Sequence, residues 1–264
     1  NTVVNLDNPN TKIFSGGIRD GYEASVTMEN YPISSYFGYD IIGIFESASE
    51  VTSSPSQPGA DVGRWKFRDV NGDNQIDGDD RVVLGSPHPD FTLGIPISVQ
   101  YKNFDFNIFI QGVYGRELFN ANKYFTDMAS IFETSQKGAN VLKSYGFNGT
   151  TASEALLPAL SSTPPEYEVA PNSYYVEDGS YTRFKQLTIG YNFTSSTLSK
   201  IGFNNARIYL QGNNILTFTN YTGIDPEVGN GNNYYGGGAD LDIGVDRGQY
   251  PIVKSYTAGV SFTF

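Results

Sequence analysis

At 264 residues, with no cysteine and a formal net charge of −11, the chain can bury a sizeable core but cannot build a disulfide framework, a thiolate metal site or a cysteine nucleophile. The acidic balance argues against a nucleic-acid partner, which calls for a basic patch. No apolar run reaches the roughly eighteen residues of a membrane-spanning helix, although barrel strands, being half polar, escape that criterion.

The start, Asn-Thr-Val-Val-Asn-Leu, has no signal-peptide pattern, so a trimmed mature chain or a piece of a longer one is expected. Ala24 to Asn30 reads as a short strand with Tyr31-Pro32 as its turn. Ile33 to Glu46 reads as a second strand, with Phe37, Tyr39, Ile41 and Phe45 on one face and Gly38, Asp40 and Glu46 on the other. Residues 47 to 63 are rich in Ser, Pro and Gly and read as loop, continued by the acidic segment Asp69 to Asp80.

Two well-patterned strands follow. Phe91, Leu93, Ile95, Ile97, Val99 and Tyr101 alternate with Thr92, Gly94, Pro96, Ser98 and Gln100. After a tight Lys102-Asn103 turn, Phe104, Phe106, Ile108 and Ile110 alternate with Asp105, Asn107, Phe109 and Gln111, which predicts a hairpin. Pro96 marks an edge or a bulge. Residues 115 to 179 read as a long connection with short helices expected around Glu117–Met128 and Ser153–Leu157. The alternation resumes with Leu187, Ile189, Tyr191 and Phe193, and again with Ala206, Ile208 and Leu210. Residues 220 to 250 are a Gly-, Asn-, Asp- and Tyr-rich loop. The chain closes on a strand with Tyr256, Ala258, Val260, Phe262 and Phe264 on one side and Ser255, Thr257, Gly259, Ser261 and Thr263 on the other.

Period-two alternation suits two architectures: a sandwich with its apolar faces in a core, or a membrane barrel with its apolar faces in lipid. Connection length separates them. Short connections near 30–31, 102–103 and 194–205 alternate with long ones at 47–90, 115–179 and 220–250. An up-and-down meander collects the short ones at one end and the long ones at the other, as in outer-membrane barrels. The expected fold is therefore all-β, an antiparallel up-and-down transmembrane β-barrel with long extracellular loops. About seven strands fall short of the eight that close the smallest such barrel, and unpaired edges are costly in lipid. Residues 1–264 are thus expected to be the C-terminal part of a larger barrel.

The acidic segment has calcium-loop spacing. Asp69, Asn71, Asp73, Asp77 and Asp80 stand at positions one, three, five, nine and twelve, with the Gln75 carbonyl at seven. Clustered carboxylates repel one another unless a cation lies among them. Two features depart from the pattern: the turn glycine is Gly72 rather than the sixth residue, Asn74, and the twelfth residue is the shorter Asp80. No flanking helices are visible. A structural calcium ion and a solvated, Asx-rich turn are the two readings of this segment.

Several motifs resemble, in order, the SusC/RagA-type TonB-dependent transporters of Gram-negative outer membranes. They are Trp65-Lys-Phe-Arg-Asp-Val-Asn-Gly-Asp73, Asp80-Arg-Val-Val-Leu-Gly85, Tyr101-Lys-Asn-Phe104, Val176-Glu-Asp-Gly-Ser-Tyr-Thr-Arg183, Leu187-Thr-Ile-Gly-Tyr-Asn-Phe193, Gly212-Asn-Asn-Ile-Leu-Thr-Phe-Thr219, Tyr221-Thr-Gly-Ile-Asp-Pro-Glu227 and the terminal strand. The resemblance implies a barrel of about 22 strands around an N-terminal plug. It also implies import of glycans or peptides, a TonB complex acting through an N-terminal part, and a SusD-like surface lipoprotein as a lid. The chain would then contribute barrel wall, facing outer-membrane lipid and continuing into the remaining barrel.

Tyr234 and Tyr235, beside glycines, are candidate sugar-stacking residues, with an interfacial girdle as the bland alternative. Asp225, Glu227, Asp240, Asp242 and Asp246 read as a second cation site or as solvated loop. A soluble calcium-dependent β-rich binding or adhesion module is the competing function. Catalysis is not expected: His88 stands between Pro87 and Pro89 in an anticipated exposed turn, and Glu166 and Glu168 fall in an anticipated solvated loop.

Overall fold

A computed structural model describes residues 1–8, 10–19, 22–128, 136–193, 198, 203–229 and 241–263. Its strands are β1 (Ile13–Arg19), β2 (Tyr22–Thr27), β3 (Ser35–Gly38), β4 (Ile41–Ile44), β5 (Trp65–Phe67), β6 (Val82–Gly85) and β7 (Phe91–Tyr101). They continue with β8 (Phe104–Tyr114), β9 (Glu117–Asn120), β10 (Val176–Asp178), β11 (Tyr181–Asn192), β12 (Asn205–Thr219), β13 (Val245–Asp246) and β14 (Ser255–Thr263). Among the described residues the α-helices are α1 (Ala48–Ser53), α2 (Lys123–Thr126) and α3 (Glu166–Val169). The chain divides into two compact units, one of residues 1–88, 117–177 and 228–249, the other of residues 89–116, 178–227 and 250–264.

The first unit gathers the long stretches that the sequence presents as loop, together with the two strands expected before residue 47. Its sheets run β1-β2-β3-β6, β4-β5 and β10-β9-β13. Trp65, Tyr36, Tyr124, Tyr175, Phe67 and Phe119 are almost fully buried in it, each contributing on the order of 2 kcal/mol by leaving water. Tyr124 and Tyr175 stack with ring centroids 4.1 Å apart. These aromatics lie scattered among polar residues along the chain, so they converge only in three dimensions. The segment Ile33–Glu46 is not one wall strand. It breaks into β3 and β4, which join different sheets, because residues 171–173 come between them. Tyr39 N–H donates to the Pro171 carbonyl at 3.0 Å, and Ser173 N–H donates to the Tyr39 carbonyl at 2.9 Å. A Cβ on Gly38 would stand 2.1 Å from the Pro171 oxygen, which only glycine avoids. Ala24 to Asn30 likewise belongs largely to β2 of this unit and not to the wall.

Helix expectations fare unevenly. The Glu117–Met128 window holds a strand, β9, and then the single turn α2. Ser153–Leu157 forms turns and no helix. Helix α1 arises inside the expected loop because Ser47 caps it, its hydroxyl accepting from Glu50 N–H.

The second unit is one antiparallel sheet in the order β14-β12-β11-β8-β7, with each strand beside its chain neighbour in the unit. Its short connections, 102–103 and 193–204, share one end, and the long ones share the other. Lys102 takes a positive φ of 55° in the first turn, a conformation that suits glycine better. Asn103 offsets this by clasping the end of β11, accepting from Asn192 N–H at 2.8 Å and donating its side-chain amide to the Asn192 carbonyl at 2.6 Å. Pro96 lies on β7, the sheet's terminal strand, where its missing N–H takes no bond from the ladder. Between Phe184 and Gln186 the register of β11 shifts against both neighbours. Against β8 the extra residue is Lys185, whereas against β12 the surplus lies on β12, where Asn214, with a positive φ, and Ile215 stand opposite Lys185.

Candidate functional site

The two faces of the five-stranded sheet carry different chemistry. One presents exposed apolar side chains, alternating on either side of the bulge, among them Ile95 at 45%, Leu210 at 63% and Val260 at 57% of full exposure. A soluble module would bury such a face. Exposed in this way it is a lipid-facing wall.

The opposite face is polar and internally paired. Asp105 on β8 meets Arg207 on β12 across the intervening β11, with Nε to Oδ1 at 3.1 Å, and Asn192 Nδ2 also donates to Oδ1 at 3.0 Å. The strand between them passes at Gly190, where a Cβ would stand 2.4 Å from Asp105 Oδ1 and 2.6 Å from Arg207 Nη2. Glycine there leaves room for the pair to cross the sheet.

Further along, Arg183 is nearly buried and forks between Asp225 at 2.6 Å and Glu227 at 2.8 Å. Its Nε donates to Thr217 Oγ1, and Lys185, the bulge residue, adds a second cation to Glu227 at 2.7 Å. The Ile-Asp-Pro-Glu segment is thereby fastened to the sheet by charge-assisted bonds. Asp225 and Glu227 are therefore ion-pair partners and not a solvated patch. The cue in the sequence is a pair of cations on a strand whose polar face is otherwise uncharged, followed by two acids after the next strand.

Other acidic positions resolve in the same way. Asp242 is buried against Arg247 at 2.8 Å, and Asp246 accepts from Gly248 N–H. Asp240 lies outside the described residues, as do Tyr234 and Tyr235. Glu168, expected in a solvated loop, is 1% exposed on α3 and paired with Arg64 at 2.9 Å. Burial pushes its carboxyl above the usual carboxylate range, with Arg64 pulling the other way. His88 is half-buried, and its Nε2 donates to the Ile33 carbonyl at 3.0 Å. It serves as a structural clasp.

The acidic loop folds as a chain of side-chain caps. Asp69 accepts from Gly72 N–H at 2.7 Å and Asn74 N–H at 2.9 Å. Asn71 accepts from Asp73 N–H, Asp73 from Gln75 N–H, and Asp77 from Asp79 N–H. Asp80 is fully buried and joins the loop's ends, one oxygen accepting from Val70 N–H and the other from Asp77 N–H, both at 2.8 Å. Ile76, 2% exposed, anchors the loop in the core. Among the described residues, no group of three or more acidic or histidine side chains is arranged to hold a metal ion. Each carboxylate oxygen that accepts one N–H retains a second lone pair.

No protein-family model matches the chain. TonB-dependent receptor P3 of Formosa agariphila is 33% identical over 249 residues, spanning 92% of this chain and 23% of the receptor. TonB-dependent receptor SusC of Bacteroides thetaiotaomicron is 27% identical over 202 residues, spanning 75% of this chain and 17% of that protein. Among solved structures, the RagAB peptide importer in its open-open state superposes with a TM-score of 0.72 at 21% identity. That match covers all of this chain and 25% of the importer chain. The chain thus spans about a quarter of the length of the relatives it matches.

Proposed function

We propose that this chain, which belongs to the SusC/RagA-type TonB-dependent transporters of the Gram-negative outer membrane, forms a C-terminal part of the barrel wall and the outer loops of a TonB-driven nutrient importer. The observation that carries this reading is the sheet's division into an exposed apolar face and an ion-paired polar face. Lipid takes the first, and the barrel interior takes the second. Glycans or peptides are the proposed cargo, and a SusD-like lipoprotein is the proposed lid. The likeness to the RagAB peptide importer supports a peptide cargo, and the likeness to SusC and RagAB together supports the lid.

Uptake by cells expressing the full-length protein tests the reading. Labelled oligosaccharide or oligopeptide pools should enter only with TonB present, and a surface lipoprotein should co-purify with the transporter. Cells lacking the protein that accumulate every pool equally well would overturn it.

A structural calcium ion in the Asp69–Asp80 loop belongs to the same reading. Its support is the spacing of the oxygen donors, together with the charge concentrated in a short turn. Asn71 and the Gln75 carbonyl would complete the shell beside the carboxylates. Calcium should raise the unfolding temperature of the full-length protein and slow proteolysis between residues 69 and 80, and Asp73→Asn should abolish both effects. Identical curves in calcium and in chelator would leave the loop as a self-capped turn.

A further inference from the structure

The apolar face is not uniformly bulky. At one place it is indented by a groove of about 370 Å³ between Leu187 and Ile189 of β11 and Tyr256 of β14. The ladder aligns Leu187 with Gly212 and Gly212 with Tyr256, and in the next row Ile189 with Leu210 and Leu210 with Ala258. Gly212 and Ala258 are the small residues that lower this part of the surface. A Cβ on Gly212 would fall 2.7 Å from Ile215 Cγ2, because the nearby bulge folds Ile215 over it.

The groove's height in the membrane follows from the register. Gly212 stands seven steps along β12 from Asn205, at the short-turn end, which is roughly 24 Å of strand. At a tilt of roughly 40° this is about 18 Å of height within an apolar band about 25 Å tall. The groove therefore opens in the outer leaflet. Just beyond it, Lys254 precedes β14 on the same side of the chain as Tyr256 by period-two alternation. Lys254 is exposed, and no carboxylate among the described residues pairs with it.

We propose that this groove binds an acyl chain of a phosphate-bearing outer-leaflet lipid, of the lipid A class, with Lys254 meeting the phosphate. The apolar lining suits a flexible hydrocarbon chain, and the unpaired cation at the headgroup level suits an anionic lipid over a zwitterionic one. The inference rests on the outer-membrane reading of this wall.

Native mass spectrometry of the full-length transporter in detergent, titrated with purified lipid A, tests it. Phosphatidylethanolamine and inorganic phosphate serve as controls. The wild-type protein should retain one more lipid A than Ala258→Leu, whose side chain fills the groove with no loss of apolar character. Lys254→Gln should weaken retention about five-fold, and neither control should compete. Equal lipid A retention by all three proteins would overturn the groove. Competition by inorganic phosphate alone, or a dimer that dissociates in Ala258→Leu, would also overturn it, the dimer making the face a contact between copies. A protein that fails to partition into the outer membrane would instead overturn the outer-membrane reading itself.

Discussion

At the scale of single residues, the most consequential side chains are charges withdrawn from water. Glu168 is tolerated at 1% exposure because Arg64 faces it and Trp65 N–H donates to its other oxygen. Arg64→Met should leave that carboxylate buried without a counter-charge, costing about 3–5 kcal/mol. Hydrogen exchange at Trp65 in the full-length protein would register the loss. The pH dependence has a definite sign. Glu168 holds its proton more tightly folded than unfolded, so its stabilising contribution is present below the ordinary carboxylate range and fades as pH rises through the elevated value. The Arg64→Met defect should therefore shrink in acid, and Glu168→Gln should remove most of that pH dependence. A defect of constant size from acid to neutral pH would contradict this account. None of it is legible in the sequence, where Arg64 and Glu168 are more than a hundred positions apart.

At the scale of elements, the strands were legible wherever one face meets an apolar medium and the other does not. The hairpin of β7 and β8, and strands β11, β12 and β14, carry the alternation because a strand presents successive side chains to opposite sides. The break that divides the expected strand Ile33–Glu46 into β3 and β4 escaped, because all four residues of β3 are buried, which erases the period. The bulge at Lys185 also escaped, since an inserted residue shifts the alternation without a compositional mark. Arg183 and Lys185 around this bulge hold the segment that ends at Glu227. Arg183→Ala should release it, weakening its attachment by about 2 kcal/mol. Protease added to intact cells should then cut between residues 220 and 228 faster than in the wild type. An unchanged cleavage rate would mean that Lys185 and the backbone suffice.

At the scale of the whole molecule, the two faces of the wall make opposite predictions for adjacent residues. Leu210→Arg places a charge on the lipid side and should cost about 2–4 kcal/mol of barrel stability near the midplane. Gln211→Arg, one position on, should be accepted by the polar face. Urea unfolding of the full-length barrel in lipid vesicles would measure both, and equal losses would argue against the assignment of faces. The sequence by itself determined the wall, its apolar side and the asymmetry of its connections, because these depend on a periodicity of two and on chain length alone. It also carried, through ordered motifs, the resemblance that the relatives bear out. Only the tertiary structure decided that residues 1–88 and 117–177, read largely as loop, build a compact unit with an aromatic core. It likewise decided that the acids at 168, 225, 227 and 242 are ion-paired. The reason is that burial and charge pairing join residues distant in the chain, and no local pattern records which distant partner a side chain will meet.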